Sequence, residues 1–118
     1  MVDPAPSGAP HPGKFLAGRL AALDMSASEL ARSLGIPINR VTHIINGQRG
    51  VSGDNALRLG RFFGTAPAYW LGLQMAFELR RAEEENGEFI ARTVPAFSEL
   101  QRSRKPPQGS LFMAGEAA

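Results

Sequence analysis

Between Ser26 and Gly47 the chain is punctuated wherever a helix must start, stop or turn, and this narrows its fold more than any other feature. Ser26-Ala27-Ser28-Glu29 has the form of a capping box, in which the hydroxyl and the carboxylate each satisfy a free amide. Ala27, Leu30, Ala31 and Leu34 then fall at i, i+3, i+4 and i+7, one face of a helix, and Gly35 supplies a left-handed cap that ends it. Only Ile36 and Pro37 separate that stop from a second periodic run, Ile38, Val41, Ile44 and Ile45, which closes at Asn46-Gly47. Two helices joined so tightly cross at a steep angle. The crossing needs a small residue, the turn needs one that tolerates positive φ, and apolar anchors must come from both helices and the turn. Ala31, Gly35 and the set Leu30, Leu34, Ile36, Val41 and Ile44 meet those needs in one register. The pattern is that of a helix-turn-helix.

The flanking sequence extends it into an all-α domain. Residues 1 to 12 hold four of the nine prolines and no periodic apolar pattern, so they are expected to be a flexible arm. Leu16, Leu20 and Leu23 share one face of a first helix that Pro12 opens. Ser52 can cap a fourth helix with Ala56, Leu59, Gly60 and Phe63 on its inner face, before Gly64 breaks it. Thr65 and Pro67 begin a fifth, longer helix with two apolar stripes. Trp70, Leu73 and Phe77 form the first, which a five-helix core can bury. Leu71, Met75, Leu79 and Ala82 form the second, about 100° round the helix. The second stripe is expected to stay exposed and to mark a dimer interface, unless residues 88 to 97 fold back over it. Asn86-Gly87 is read as the end of this helix, and the segment from Glu88 to Phe97 fits either a short helix or an extended piece. From Ser98 onward the sequence is polar and rich in Pro and Gly, so residues 98 to 118 are read as a mobile tail with a local turn near Leu111 to Met113. The main domain therefore spans 13 to 97.

The outward side of the second helix of the motif carries the functional reading. Asn39, Arg40, Thr42 and His43 project between the inward anchors, and these side chains can bond base edges or phosphates. Asn46, Gln48 and Arg49 lie just beyond, where the next phosphates of a duplex would pass. Amides at the start of the Ala27 helix, near Ser26 and Ser28, offer a second phosphate contact. A helical hairpin of no special purpose would also have a polar exterior, but the distribution of charge favours DNA. The net charge is only +2. Yet His11 to Gly64 holds seven basic residues (Lys14, Arg19, Arg32, Arg40, Arg49, Arg58, Arg61) against three acidic ones (Asp24, Glu29, Asp54), and no acid falls between Leu30 and Gly53. The acids gather later, at Glu83, Glu84, Glu85 and Glu88. That run reads as a solvated helix end, or else as a contact for a basic protein surface.

Other chemistries find little footing. Cysteine is absent and the two histidines, His11 and His43, have no companion ligands, so no metal site or cofactor is expected. No nucleophile triad or glycine-rich phosphate loop is present, which argues against an enzyme and against a small-molecule substrate. No apolar run approaches the roughly 18 residues of a membrane span, and Met1 to Pro12 lacks the plan of a signal peptide. A soluble cytoplasmic protein with no membrane partner is expected.

The segments HPG (11 to 13), ELARSLGIPINRVTHIINGQRGVS (29 to 52) and NALRLGRFFGTAPAYWLGLQ (55 to 74) resemble antitoxins of the HigA type, in the Xre, or lambda-repressor-like, group of helix-turn-helix proteins. The resemblance covers roughly residues 11 to 97. It departs at Gly53, where alanine is usual, at Gly72, where asparagine is common, and in the long tail. It implies a homodimer that binds a palindromic operator in its own promoter and represses its own operon. It also implies a cognate toxin partner of the RelE/HigB type, which cleaves messenger RNA and is neutralised by the antitoxin. By position, the operator contacts it implies are Pro37, Ile38, Asn39, Arg40, Thr42, His43, Gln48 and Arg49. A stand-alone Xre-family transcriptional regulator without a toxin is the alternative.

Overall fold

The computed structural model describes residues 9–103, all helix and short connection. Residues 1–8, most of the expected arm, and residues 104–118, with the turn expected at Leu111 to Met113, lie outside the described residues. Six helices follow one another: α1 (Pro12–Leu23), α2 (Ala27–Leu34), α3 (Ile38–Ile45), α4 (Gly53–Phe63), α5 (Pro67–Thr93) and α6 (Phe97–Ser103). The chain divides into two compact units, Met1–Glu84 and Glu85–Ala118, and α5 runs through the boundary.

In the first unit each boundary has a local cause. His11 caps α1 by accepting the Gly13 N–H on Nδ1 at 2.8 Å, with Pro12 at the first helical position. Asp24 closes α1 in the left-handed region at φ 55°, so its carboxylate stands at a helix end. The capping box of α2 is complete: Ser26 Oγ accepts from Glu29 N–H at 3.0 Å, and Ser26 N–H donates to Glu29 Oε1 at 2.9 Å. Ser52 Oγ accepts from Asn55 N–H to start α4, and Gly64 ends it at φ 74°.

α3 packs on α1 and α2, and α2 on α4. Leu16, Leu20, Leu30, Ala31, Leu34, Val41, Ile44, Val51, Ala56, Leu59 and Trp70 form one buried cluster. Each fully buried leucine, isoleucine or valine is worth about 1.5–3 kcal/mol relative to exposure. Leu23, placed by its spacing on the same face as Leu16 and Leu20, is 55% exposed. It sits in the last turn, where it rims a surface groove with Arg19, Ala22, Phe62 and Phe63.

The second unit corrects the reading of the C-terminal region. Asn86-Gly87 does not end α5, which continues to Thr93. Gly87 keeps a negative φ there, and the cost of an interior glycine, about 1 kcal/mol relative to alanine, is small enough for flanking helix formers to carry. Pro95 follows the last turn, and Glu99 Oε1 accepts from Ala96 N–H at 3.2 Å to open α6, where the mobile tail was expected to begin. Phe89, Ile90, Val94, Phe97 and Leu100 are exposed.

Candidate nucleic-acid interface

The turn between α2 and α3 is fixed from near and far. Gly35, at φ 74°, donates to the Ala31 and Arg32 carbonyls at 2.9 and 3.3 Å, and Ile36 N–H donates to Ala31 O at 3.1 Å. A residue with a Cβ would be strained at that φ. From α4, Arg58 Nη1 donates to Leu34 O at 2.8 Å while its Nε pairs with Asp54 at 2.8 Å. The carbonyl at the end of α2 is thereby satisfied by a charged donor.

α3 presents its outer face from this seat. Val41 and Ile44 are buried and Ile45 half-buried. Ile38, read as an inward anchor from its spacing and as an operator contact from the resemblance, lies 49% exposed at the first residue of the helix. Pro37 is its exposed N-cap and makes no side-chain bond. Asn39 and His43 are exposed, Arg40 and Thr42 half-buried. Thr42 Oγ1 donates to Asn39 O at 3.1 Å, so its hydroxyl hydrogen is engaged in the helix. Beyond α3 the N–H groups of Gln48 and Arg49 both donate to His43 O, at 2.8 and 3.1 Å, and Gly47 turns at φ 78°. Both side chains are exposed. The structure thus brings Pro37, Ile38, Asn39, Arg40, Thr42, His43, Gln48 and Arg49 into one helix and the loop that leaves it.

Ser26 and Ser28 stand apart, at the start of α2. Ser26 Oγ already holds the Glu29 amide, and the Glu29 carboxylate folds back over the same turn. A phosphate there would meet the amides of Ala27 and Ser28, which have no acceptor within the helix, but also a neighbouring negative charge.

Two supports of the interface are not evident from local sequence. Val51 N–H donates to Gln74 Oε1 at 2.8 Å, Gly50 packs against the same amide, and Gln74 Nε2 donates to Glu78 at 2.8 Å, so α5 buttresses the loop after α3. His11 packs edge-on against Phe77, 4.9 Å between ring centroids, with Gly47 beside it. Burial holds its pKa below the ordinary histidine value. Gly13 lies so close to the Ile44 and Ile45 carbonyls that a Cβ has no room. The HPG triad was the available signal for this corner.

On α5, Trp70 is fully buried, with Nε1 donating to Thr65 Oγ1 at 3.0 Å, and Leu73 and Phe77 are half-buried. Leu71, Met75, Leu79 and Ala82 are exposed, Leu79 by 65%. Residues 88–93 prolong the helix itself. Among the described residues no cluster of His, Asp or Glu is placed to hold a metal, and no helix is long and apolar enough to cross a membrane.

A helix-turn-helix family model matches residues 17–70. Virulence-associated protein I of Dichelobacter nodosus is 40% identical over 76 residues, covering 64% of this chain and 70% of the relative. Two solved structures superpose closely. An addiction module antidote protein of the HigA family from Coxiella burnetii gives a TM-score of 0.74 at 48% identity, covering 75% of this chain and 98% of the other. The Pseudomonas aeruginosa antitoxin HigA, solved with the higBA promoter, gives 0.73 at 36% identity over 76% and 99%. With the α2–turn–α3 geometry above, these likenesses fix the family: the chain belongs to the HigA-type branch of the Xre, or lambda-repressor-like, helix-turn-helix proteins, a family of DNA-binding antitoxins and transcription regulators.

Proposed function

We propose that this protein is a cytoplasmic homodimeric repressor of its own operon, and that it also neutralises a RelE/HigB-like toxin that cleaves messenger RNA. One observation carries the DNA-binding part. Asn39, Arg40, Thr42 and His43 of α3, with Gln48 and Arg49 after it, form a face with no acidic side chain from Leu30 to Gly53. Lys and Arg supply the salt-dependent phosphate attraction and the α3 face supplies discrimination among base edges. Two copies joined through Leu71, Met75, Leu79 and Ala82 would present two such faces to half-sites about 34 Å apart, as a palindromic operator requires. The promoter complex of the Pseudomonas relative supports the reading. The toxin is inferred from family membership, and a stand-alone regulator differs in that part alone.

Fluorescence anisotropy against the protein's own promoter fragment, at two salt concentrations with a scrambled control, is the test. Specific binding should exceed the control by about a thousandfold, and equal, weak binding to both fragments defeats the proposal. In a binding-site selection Arg40→Ala should cost about 1–3 kcal/mol and relax preference at one operator position, whereas Arg49→Ala should weaken binding evenly across sequences. Co-expression with the adjacent reading frame, followed by gel filtration, separates an antitoxin from a stand-alone regulator: only the antitoxin co-elutes with the neighbour's product.

A further inference from the structure

The triad His11-Pro12-Gly13 sits where the first turn of α1, the loop after α3 and α5 converge. His11 Nδ1 accepts from Gly13 N–H at 2.8 Å, so the proton of the neutral ring lies on Nε2. The Arg49 backbone also hydrogen-bonds to this imidazole and favours its protonated form. Since the Arg49 N–H is already donated to His43 O, the ring donates to the Arg49 carbonyl. Phe77 of α5 meets the ring edge-on, and Gly47 leaves room beside Cγ and Cδ2. Gly13, against the Ile44 and Ile45 carbonyls, presses the same corner onto the end of α3. A single side chain therefore caps one helix, holds the backbone of Arg49 and packs on α5.

We propose that His11 is a positioning residue for operator binding, one that holds the Gln48–Arg49 loop between α1 and α5. The inference rests on the reading that this loop contacts DNA. Imidazolium has no acceptor, so a second proton expels the Gly13 amide from Nδ1 and undoes the helix cap, while Nε2 still donates to Arg49. The groups that bear on the ring are the Gly13 amide from α1, the Arg49 backbone from the loop, and two charges on α5: Glu78, which favours protonation, and Arg81, which opposes it. Burial outweighs the rest and lowers the folded-state pKa. Between that value and the ordinary one the unfolded chain binds more protons. The cap on Gly13 is therefore complete above the ordinary histidine value and is lost as pH falls through the lowered one, whereas the donation to Arg49 outlasts it.

His11→Asn keeps a side-chain oxygen for the helix cap but loses the ring's contact with Phe77 and its donation to Arg49. Its melting temperature should stay near that of the native protein. Its Kd for the promoter fragment should rise about threefold to tenfold near pH 7.5, the worth of one hydrogen bond. His43 is present in both proteins and cancels. An unchanged Kd overturns the proposal. An independent readout uses the native chain: the amide resonances of Gly47, Gln48 and Arg49 should shift with pH along the titration curve of the His11 ring. Shifts that follow another curve, or none, overturn the proposal even if the variant fails to fold. If the native protein does not bind its promoter, the operator reading falls, and the resonance titration alone judges whether His11 holds the loop.

Discussion

The two ends of α5 are held by different physics. At the N-terminal end Trp70 is wholly buried, bonded to Thr65 and packed against a tilted Phe63 and an edge-on Tyr69, with the Arg19 guanidinium over the same rings. From Glu83 to Thr93 every residue but Gly87 is exposed, and the pairs that support the helix are local, such as Arg80–Glu84 at 3.0 Å and Thr93 Oγ1 donating to Phe89 O at 2.7 Å. Such surface pairs are worth only a few tenths of a kcal/mol each. Tertiary packing sets the first part of the helix, and intrinsic propensity has to sustain the second. One periodic run can thus serve as core at one end and as available surface at the other.

The most severe way to break this contrast is Trp70→Ala, expected to cost about 3–5 kcal/mol in urea unfolding. A variant that melts like the native protein would show that the core is not organised around this ring. Glycines give the next, smaller test. Gly13→Ala, which drives a methyl into the Ile44 and Ile45 carbonyls, should destabilise by about 1–3 kcal/mol. Gly72→Ala, with open space around it on α5, should stabilise by up to about 1 kcal/mol. Equal effects of the two in thermal melts would erase the distinction between seated and free helix surface. The smallest effect on folding belongs to Leu79→Glu, within about 0.5 kcal/mol for so exposed a position. Analytical ultracentrifugation should nevertheless show it shifted towards monomer. Unchanged association would move the dimer contact off the Leu71–Met75–Leu79–Ala82 stripe.

What could be read in advance follows from how far apart the interacting atoms lie. Ser26 with Glu29, Ser52, Gly35 and Gly64 were legible because each boundary is satisfied within a few residues of the cap. The outward residues of α3 were legible for the same reason, since periodicity alone separates them from Val41 and Ile44. Arg58 on the Leu34 carbonyl was not, because the partners are 24 residues apart and a surface arginine carries no mark of its acceptor. Asn55 lands in the core at 1% exposure although its type belongs outside, while Leu23, apolar and in register, ends at the surface. Both placements depend on neighbouring helices, which hydropathy does not encode. Asn86-Gly87 misled because a turn signal is only a bias of about 1 kcal/mol, which a committed helix overrides.

Gln74 gives one further consequence, for genetics. Its amide belongs to α5, yet it accepts the N–H of Val51, 23 residues earlier, and Gly50 rests against it. If the protein represses its operon as proposed, a screen for lost repression would therefore return Gln74 alongside positions of α3. A map drawn from phenotype alone would place a DNA contact where the molecule has a strut.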